Sequence, residues 1–394
     1  MLKQDIVILA ATRTAIGTFG GSLKEVPLSQ LATLVVQSAI KQSGVAPASV
    51  GHVVMGNVMV TEPKDAYLGR VAALDAGLGP ETPAFNVNRL CGSGLQAVVS
   101  AAQLLELGDC SVAIGAGAES MSRGPYLVPA ARWGARMGDT PMLDFTLGAL
   151  HDPFDRIHMG VTAENVAARE GITRAMQDAL ALESQRRATQ AIVEGRFKSQ
   201  ITPVVQTTRK GTVVFDTDEH VRAGVTAEQL AAMKPAFQKD GTVTAGNASG
   251  LNDGAAAIVL ATAQAARDQN LKPLARLIGY AHAGVEPKLM GLGPIPASRK
   301  VLEAAGLTVK QLDVIESNEA FAAQACAVAR TLEFDPAKVN PNGSGIALGH
   351  PIGATGAILV TKAIHELHRI GGRYALVTMC IGGGQGIAAL FERL

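Results

Sequence analysis

Two cysteines of this 394-residue chain lie where an apolar run meets a glycine-rich turn. The first is in AFNVNRLCGSGLQAVVSAAQLLELGD, where Cys91 follows an extended segment and opens a predicted long helix. Unpaired backbone N–H groups and the positive end of a helix dipole favour the thiolate form of such a thiol. Gly92 and Gly94 leave space beside it for a substrate carbonyl. These features predict that Cys91 is a nucleophile rather than a small core residue.

The second thiol, Cys380, is in RYALVTMCIGGGQGIAALFE, at the end of a predicted buried strand. Glycines follow it at Gly382, Gly383, Gly384 and Gly386. Consecutive backbone N–H groups without side chains form a concavity that can hold a developing oxyanion. A tight hairpin is the alternative interpretation. A second thiol in the same setting as the first favours a functional role.

A histidine and an asparagine complete the candidate set. His350 lies in the glycine-rich loop of NPNGSGIALGHPIGATGAILVTK, before a helix predicted to carry Pro351 in its first turn, where both ring nitrogens are free for polar work. Asn318 follows the predicted strand VIES, where open α/β sheets bind ligands. It is either a ligand anchor or a helix cap. No pattern supports a role for four other histidines: His52, His151, His220 and His282.

The elements that must position these residues alternate between short β-branched runs and alanine-rich helical stretches. This alternation predicts an α/β protein with a sheet buried on both faces. The predicted strands include Ile6–Leu9, His52–Met55, Val112–Ile114, Ala257–Leu260 and Leu376–Met379, and the helices include Leu28–Gln42 and Gln96–Leu107. A weak repeat, SGVAPASVGHVVMGN around Gly44–Asn57 and AGLTVKQLDVIESN around Gly306–Asn318, indicates two similar halves.

Between the halves the pattern changes, from about residue 120 to residue 247. This segment holds the only tryptophan, Trp133, and a basic helix predicted over Thr173–Glu194. Thr226 and Gln229 have the spacing of a capping box. An excursion of this length is typically a functional cover. We therefore divide the chain into an N-terminal half (1–119 and 248–270), an inserted roof over the site (120–247) and a C-terminal half (271–394).

Composition excludes several functional classes. Lysine and arginine number 35 against 34 aspartates and glutamates, so no net field attracts nucleic acid. Four cysteines without paired spacing favour free thiols in a reducing compartment, and the opening residues lack a signal peptide, which together predict a cytoplasmic enzyme. We expect no membrane span, no metal site, because no Cys or His pair has ligand spacing, and no phosphate loop.

Four segments resemble the catalytic signatures of the thiolase family: VNRLCGSGLQA, ESNEAFAAQ, GIALGHPIGATG and CIGGGQG. They occur in the family's order, and HMGVTAEN and GTVTAGNASGLNDGAA match as well. The likeness runs nearly end to end and is strongest to bacterial biosynthetic β-ketothiolases. It implies a fold of two duplicated mixed-sheet α/β halves in an α-β-α-β-α layer arrangement with an inserted loop domain.

The resemblance also implies the roles of the reactive residues. Cys91 would take the acyl group as a thioester after His350 accepts its proton. Cys380 would remove the α-proton of the second acyl-CoA and later protonate the product or leaving group. One oxyanion hole would be His350 with a water held by Asn318, and the other the backbone N–H groups of Cys91 and Gly382.

By the same resemblance, seven residues should border coenzyme A and the acyl group: His158, Met159, Arg222, Phe237, Ser249, Met290 and Phe321. One departure affects the outer contacts to coenzyme A, since Gln229 stands where acetyl-specific members commonly have serine. No cofactor is implied, because acetyl-CoA, short-chain acyl-CoA and 3-ketoacyl-CoA are substrates. A homotetramer, a dimer of dimers joined through the insertion, is expected, and Trp133–Phe145 is its candidate contact surface unless it lines the acyl channel.

The expected reaction is a reversible Claisen condensation through an acyl-enzyme, with products of about four to six carbons. Three alternatives remain: a degradative 3-ketoacyl-CoA thiolase, a condensing synthase that uses an acyl carrier protein, and a non-catalytic acyl-CoA binding protein. The synthase relatives have His or Asn where this chain has Cys380, and all four reactive positions are present. Chain-length preference depends on packing around Met159, Met290 and the loop near Leu150.

Overall fold

The computed structural model describes residues 4–209 and 211–394. The strands are β1 Ile6–Arg13, β2 Gly17–Thr18, β3 His52–Gly56, β4 Ala84–Val87, β5 Val112–Ser120, β6 Tyr126–Leu127, β7 Leu143–Asp144, β8 Val204–Thr208, β9 Gly211–Phe215, β10 Asn252–Thr262, β11 Ala275–Gly284, β12 Val314–Ser317, β13 Tyr374–Ile381 and β14 Gln385–Arg393. The α-helices are α1 Leu28–Ser43, α2 Leu68–Asp75, α3 Ser93–Leu107, α4 Phe145–Ala149, α5 Met159–Glu170, α6 Arg174–Val193, α7 Ala227–Ala231, α8 Ala263–Asp268, α9 Pro294–Ala305, α10 Ala322–Thr331, α11 Gly345–Leu348 and α12 Thr355–Ile370.

Ten strands form one mixed sheet whose two halves repeat the same pairing scheme. Along the sheet the order is β12-β13-β14-β11-β1-β10-β5-β3-β4, with β2 beside β10. In the first half β3 pairs parallel with β5, and β5, β10 and β1 follow antiparallel. In the second half β12, β13, β14 and β11 repeat this sequence of pairings. The shared topology confirms the predicted duplication.

The repeat found in the sequence corresponds to the same order of elements in each half, a helix, a 3₁₀ turn and a strand. Helices α1 and α9 both end at a glycine in the left-handed conformation, Gly44 with φ 71° and Gly306 with φ 64°. Each is followed by one short 3₁₀ turn and then by β3 or β12. The strands are followed by Asn57 and Asn318, so the candidate catalytic asparagine has a counterpart in the other half.

Helices separate the two halves of the sheet into layers. Helices α3 and α12 pack against each other and share one apolar core with β1, β13 and β14. Helices α1 and α2 cover the outer face of the first half, and α9 covers that of the second. This is the predicted five-layer arrangement, in which the central strands of the ten-stranded sheet are buried between helices, whereas β6–β7 and β8–β9 form two separate two-stranded sheets.

Helix α3 corrects one expectation about membranes. Residues Leu90–Leu107 are long and apolar enough to span a bilayer by length and composition, with mean hydropathy 1.2. However, 61% of this window is buried inside the protein. The hydropathy therefore reflects a position in the central layer, where a helix that is apolar on most sides contacts both halves.

The segment between β5 and β10 is tied to the sheet by a buried ion pair. Arg13, the last residue of β1, contacts Asp218 through two hydrogen bonds of 2.7 and 2.9 Å, and both side chains are fully buried. Paired geometry of this kind compensates the cost of burying the charges. The predicted basic helix is α6, capped by Thr173, and the capping box of Thr226 and Gln229 opens α7.

Candidate active site

Cys91 lies in a sharp turn between β4 and α3. Leu90 adopts the left-handed conformation, with φ 46°, which is rare for a branched side chain. The Ser93 hydroxyl holds the turn by donating to the Leu90 carbonyl at 2.7 Å and accepting the Arg89 N–H at 2.8 Å. Strained turns that a rigid surrounding maintains occur at functional sites, because they present a side chain outward. The turn directs Cys91 into a cavity.

The protonation state of Cys91 differs from the sequence-based expectation. Helix α3 begins at Ser93, two residues later, and burial raises the pKa of Cys91 to about 11. Its own N–H and that of Gly382 lower the pKa, but they do not offset burial. Backbone N–H groups therefore favour the thiolate of Cys91, as expected, but burial outweighs them and the thiol form predominates. The thiol needs a base to release its proton.

Cys380 lies behind the cavity wall. It is the penultimate residue of β13, is fully buried, and does not line the cavity. It packs in an apolar cluster with Met159, Met290 and Phe321, which do line the cavity. Burial raises the pKa of Cys380, and the nearby Cys91 thiol raises it further. The two thiols therefore lie close enough to interact electrostatically.

His350 is held by contacts from three directions. Its backbone N–H donates to Asn252 Oδ1 at 2.9 Å, its ring Nδ1 is 2.6 Å from Thr355 Oγ1, and its ring Nε2 is 3.4 Å from Asn318 Nδ2. Gly349 precedes it at φ 108°, and a Cβ there would lie 2.5 Å from the Asn252 amide. Only glycine fits this combination of conformation and contact.

Burial lowers the pKa of His350 to about 4. The imidazole is therefore neutral at physiological pH and can accept a proton. Helix α12 begins at Thr355, so Pro351 lies in the preceding turn and not in the helix as expected. Asn318 does not cap α10 either, because Phe321 occupies the N-cap position. The side chain of Asn318 faces His350 instead, which favours the ligand-anchor interpretation.

A cavity of about 540 Å³ opens beside these groups, with Cys91, His350 and Gly382 in its wall. All seven residues predicted to border coenzyme A line it: His158, Met159, Arg222, Phe237, Ser249, Met290 and Phe321. The ring of His158 stacks on Phe237 at 4.6 Å, and Phe237 meets Phe321 edge-on at 6.2 Å. Gln229 is not in the wall, because its side chain accepts the Thr226 N–H within the capping box.

Several lining residues were missed in the sequence. His220, to which no role was assigned, lines the cavity against Gly250. Burial lowers its pKa to about 4, with a smaller effect from Arg222. Met121 and Ile352, also missed, form an apolar wall that packs with Cys91, together with Leu150 from the loop that was expected to affect chain-length preference. Ile352 lies two residues after His350, and His220 lies two residues before Arg222. Their closeness in sequence to predicted site residues is the signal that could have identified them as lining residues.

In chemical terms the site can transfer an acyl group. It contains a buried thiol beside two backbone N–H donors, a neutral imidazole, and a second thiol close to the first. A nucleophile, a base and an oxyanion-stabilising pair are what acyl transfer requires. Within residues 4–209 and 211–394, no group of three or more His, Cys, Asp or Glu side chains is arranged to hold a metal ion.

The chain consists of two duplicated halves that meet over a shared helical layer, with Cys91 between β4 and α3 in one half and Cys380 near the end of β13 in the other. This arrangement defines the thiolase class of enzymes. The chain belongs to this family: the thiolase N-terminal domain matches residues 6–264 and the thiolase C-terminal domain matches residues 271–393. It is therefore an enzyme of the family that the sequence motifs indicated.

The chain is similar to several thiolases over its whole length. The chain is 65% identical to beta-ketothiolase BktB of Cupriavidus necator, with 100% of both chains covered. It is 49% identical to an acetyl-CoA acetyltransferase of Pseudomonas aeruginosa, covering 99% of this chain and 100% of that protein. Among solved structures, human mitochondrial 3-ketoacyl-CoA thiolase superposes with a TM-score of 0.98 at 42% identity, covering 100% of both chains.

Proposed function

We propose that this protein condenses acetyl-CoA with acetyl-CoA or a short acyl-CoA, reversibly, giving a 3-ketoacyl-CoA and free coenzyme A. The observation that carries the proposal is that Cys91 of the first half and Gly382 of the second line the same cavity, where the Gly382 N–H lowers the pKa of the Cys91 thiol. An acyl group on Cys91 would then lie beside the turn that follows Cys380. The 65% identity to a named beta-ketothiolase supports the same reaction.

The first half-reaction transfers an acyl group to Cys91. His350 Nε2 accepts the Cys91 proton, and the thiolate attacks the thioester carbonyl of acyl-CoA. The N–H groups of Cys91 and Gly382 bind the developing oxyanion, and each such donor contributes about a hundredfold or more in rate. The departing coenzyme A thiolate takes its proton from Cys380. This leaves acyl-Cys91, a protonated His350 and a Cys380 thiolate.

The second half-reaction forms the carbon–carbon bond. The Cys380 thiolate removes the α-proton of a second acetyl-CoA, whose enolate oxygen accepts hydrogen bonds from His350 Nε2–H and from a water held by Asn318. The carbanion attacks the acyl-Cys91 carbonyl. Cys91 leaves as a thiolate and recovers its proton from His350, so both thiols and the imidazole return to their starting states. No cofactor enters any step.

The cavity wall supports short acyl chains beyond acetyl. Met121, Leu150 and Ile352 surround Cys91 with apolar side chains that can shift, since methionine has three flexible bonds. Each methylene that such a pocket accommodates changes the rate by about tenfold or more. We propose ketoacyl products of about four to six carbons.

A degradative role is the second candidate, because the chain also superposes on human mitochondrial 3-ketoacyl-CoA thiolase, with a TM-score of 0.98. Sequence identity favours the condensation, at 65% to the beta-ketothiolase and 42% to the human mitochondrial 3-ketoacyl-CoA thiolase. We also propose a homotetramer joined through the inserted segment, because Trp133 is 83% exposed and Met137 99% in the single chain. We also propose the division of the chain into an N-terminal half (1–119 and 248–270), an inserted segment (120–247) and a C-terminal half (271–394), and a cytoplasmic location.

The test combines covalent labelling with kinetics. Radiolabelled acetyl-CoA should acetylate the wild type and Cys380→Ala protein but not Cys91→Ala, and Cys380→Ala should lose condensation. Acetylation of Cys91→Ala, or unchanged condensation by Cys380→Ala, contradicts the mechanism. Thiolysis of acetoacetyl-CoA, 3-ketovaleryl-CoA and 3-ketohexanoyl-CoA measures chain length, and rates that rise steeply for still longer chains would favour the degradative role. Sizing chromatography determines the assembly.

A further inference from the structure

Thr355 forms a hydrogen bond with Nδ1 of His350, the ring nitrogen opposite the one that approaches Asn318. Its Oγ1 lies 2.6 Å from His350 Nδ1 and 2.9 Å from the Pro351 carbonyl. Both side chains are buried, His350 at 4% exposure and Thr355 at 2%. Buried polar groups are costly to leave without partners, so the arrangement of protons around this hydroxyl is constrained.

The hydroxyl has a single proton, and its two neighbours determine where that proton points. The Thr355 hydroxyl is 2.9 Å from the Pro351 oxygen, which can only accept, and in the geometry with the hydroxyl donating to that oxygen its lone pair faces His350. His350 Nδ1 must then carry a proton. On the other side of the ring, Nε2 faces Asn318 Nδ2, which can only donate, so Nε2 carries none. Both contacts select the same tautomer.

We propose that Thr355 is a positioning residue that holds His350 in the Nδ1–H tautomer, so that Nε2 faces the cavity as the proton acceptor for Cys91. The inference rests on the proposed function, in which Nε2 gains a proton in the first half-reaction and returns it in the second. Throughout, Nδ1 keeps its proton and donates it in a hydrogen bond to Thr355 Oγ1, including while the ring is an imidazolium. Hydrogen bonds to a charged group are stronger than those to a neutral one, so the contact stabilises that state most.

The position of Thr355 in the fold makes the contact rigid. It is the first residue of α12, the central helix that packs on α3 and on strands of both halves. His350 lies in the loop before this helix. A hydroxyl on a rigid helix therefore fixes the orientation of a ring on a loop, as supporting contacts around catalytic groups commonly do.

The same helix provides a matched control. Thr361 is fully buried, and its Oγ1 donates to the Ala357 carbonyl at 3.0 Å, four residues earlier, as Thr355 does to Pro351. Thr355→Val and Thr361→Val thus remove the same local hydrogen bond from the same helix. Only the first also removes the contact to His350. Thr355→Ser retains the hydroxyl without the methyl group.

The experiment measures thiolysis of acetoacetyl-CoA together with alkylation of Cys91 by iodoacetamide at pH 7, read on the Cys91 peptide by mass spectrometry. Thr355→Val should lower kcat and the alkylation rate by roughly tenfold to a hundredfold, as expected for one charge-assisted hydrogen bond, with KM changed less than about threefold. Thr355→Ser and Thr361→Val should stay within about threefold of the wild type. If Thr355→Val is poorly folded, Thr355→Ala replaces it.

Two results overturn the inference: equal kcat in Thr355→Val and Thr361→Val, or a Thr355→Ser protein as slow as Thr355→Val. Neither contradicts the proposed function. That function is tested separately by His350→Ala. If Cys91 in this variant is alkylated at the wild-type rate, His350 is not the base that accepts its proton.

Discussion

Gly382 and Cys91 line the same cavity, and the N–H of Gly382 lowers the pKa of the Cys91 thiol. Gly382 follows β13 in the second half, whereas Cys91 precedes α3 in the first. The contact therefore exists only when the two halves are assembled over α3 and α12. It also brings Cys380, two residues before Gly382, to the nucleophile, which explains why the duplicated architecture is needed for a reaction with two acyl groups.

Gly382→Ala should reduce catalysis with little loss of stability. An added Cβ would lie 3.2 Å from Met159 Cε and 3.3 Å from Leu90 Cδ1, both ends of flexible side chains, so the turn shifts by a few tenths of an ångström. We expect kcat to fall about tenfold to a hundredfold as the N–H moves off the oxyanion. Thermal unfolding and thiolysis kinetics measure both effects. Gly279→Ala, where a Cβ has a nearest neighbour at 3.9 Å, is the control and should leave kcat unchanged.

Glu119→Gln should destabilise the loop that carries His350. The buried carboxylate accepts four N–H groups, from Asn57 Nδ2 and Met59 N on one oxygen and from Gly353 N and Val58 N on the other. An amide has to direct its own N–H groups at two of these donors. Burial raises the pKa of Glu119, but four donors require the carboxylate form.

For Glu119→Gln we expect the free energy of unfolding to drop by about 2–4 kcal/mol, with a lower kcat. Urea unfolding and thiolysis assays provide the measurement. Glu286→Gln, which removes one charge of an exposed ion pair with Lys288 at 2.9 Å, should change stability by less than about 1 kcal/mol. Equal stability of the two variants would show that the four contacts to Glu119 contribute nothing.

Met121→Ala should shift substrate preference toward longer acyl chains. Met121 lines the cavity and packs in the cluster that contains Ile352 and Cys91. Removing its side chain enlarges the pocket, and we expect the kcat/KM ratio of 3-ketohexanoyl-CoA to acetoacetyl-CoA to rise about tenfold. Met59 belongs to the same cluster but does not line the cavity, so Met59→Ala should cost stability without changing the ratio. A ratio that moves equally in both variants would place the acyl chain elsewhere.

Stability should decline below neutral pH. Burial lowers the pKa values of His220, His282 and His350 to about 4, whereas the unfolded chain titrates near 6.5. Between pH 6.5 and 4 the unfolded state binds protons that the native state does not. The free energy of unfolding therefore decreases as the pH is lowered through this range. The fully buried His350 alone should account for about 2 kcal/mol at pH 5.

Urea unfolding at pH 7 and pH 5 tests this dependence. The loss of stability between the two should be smaller in His350→Gln than in the wild type by about that amount. His368→Gln removes an exposed histidine from α12 and should retain the full loss. If His350→Gln loses as much stability as the wild type, the imidazole is not held neutral.

Much of the local structure followed from short-range patterns. The strands and helices around Cys91, Cys380 and Asn318, the capping box at Thr226 and the repeat of the two halves depend on residues close in the chain. All seven predicted coenzyme A neighbours line the cavity as well. Errors at this level were small boundary shifts, such as the start of α12 at Thr355 rather than at Pro351.

What the sequence by itself determined is which residues stand at turns and strand ends, because turn chemistry and periodicity act over a few residues. The tertiary structure alone decided their chemical state and their partners. Burial by distant segments raises the pKa of Cys91 against the effect of the nearby helix, and folding brings His220 and Met121 to the cavity. Desolvation and contacts across the halves depend on the packed interior, which no local pattern specifies.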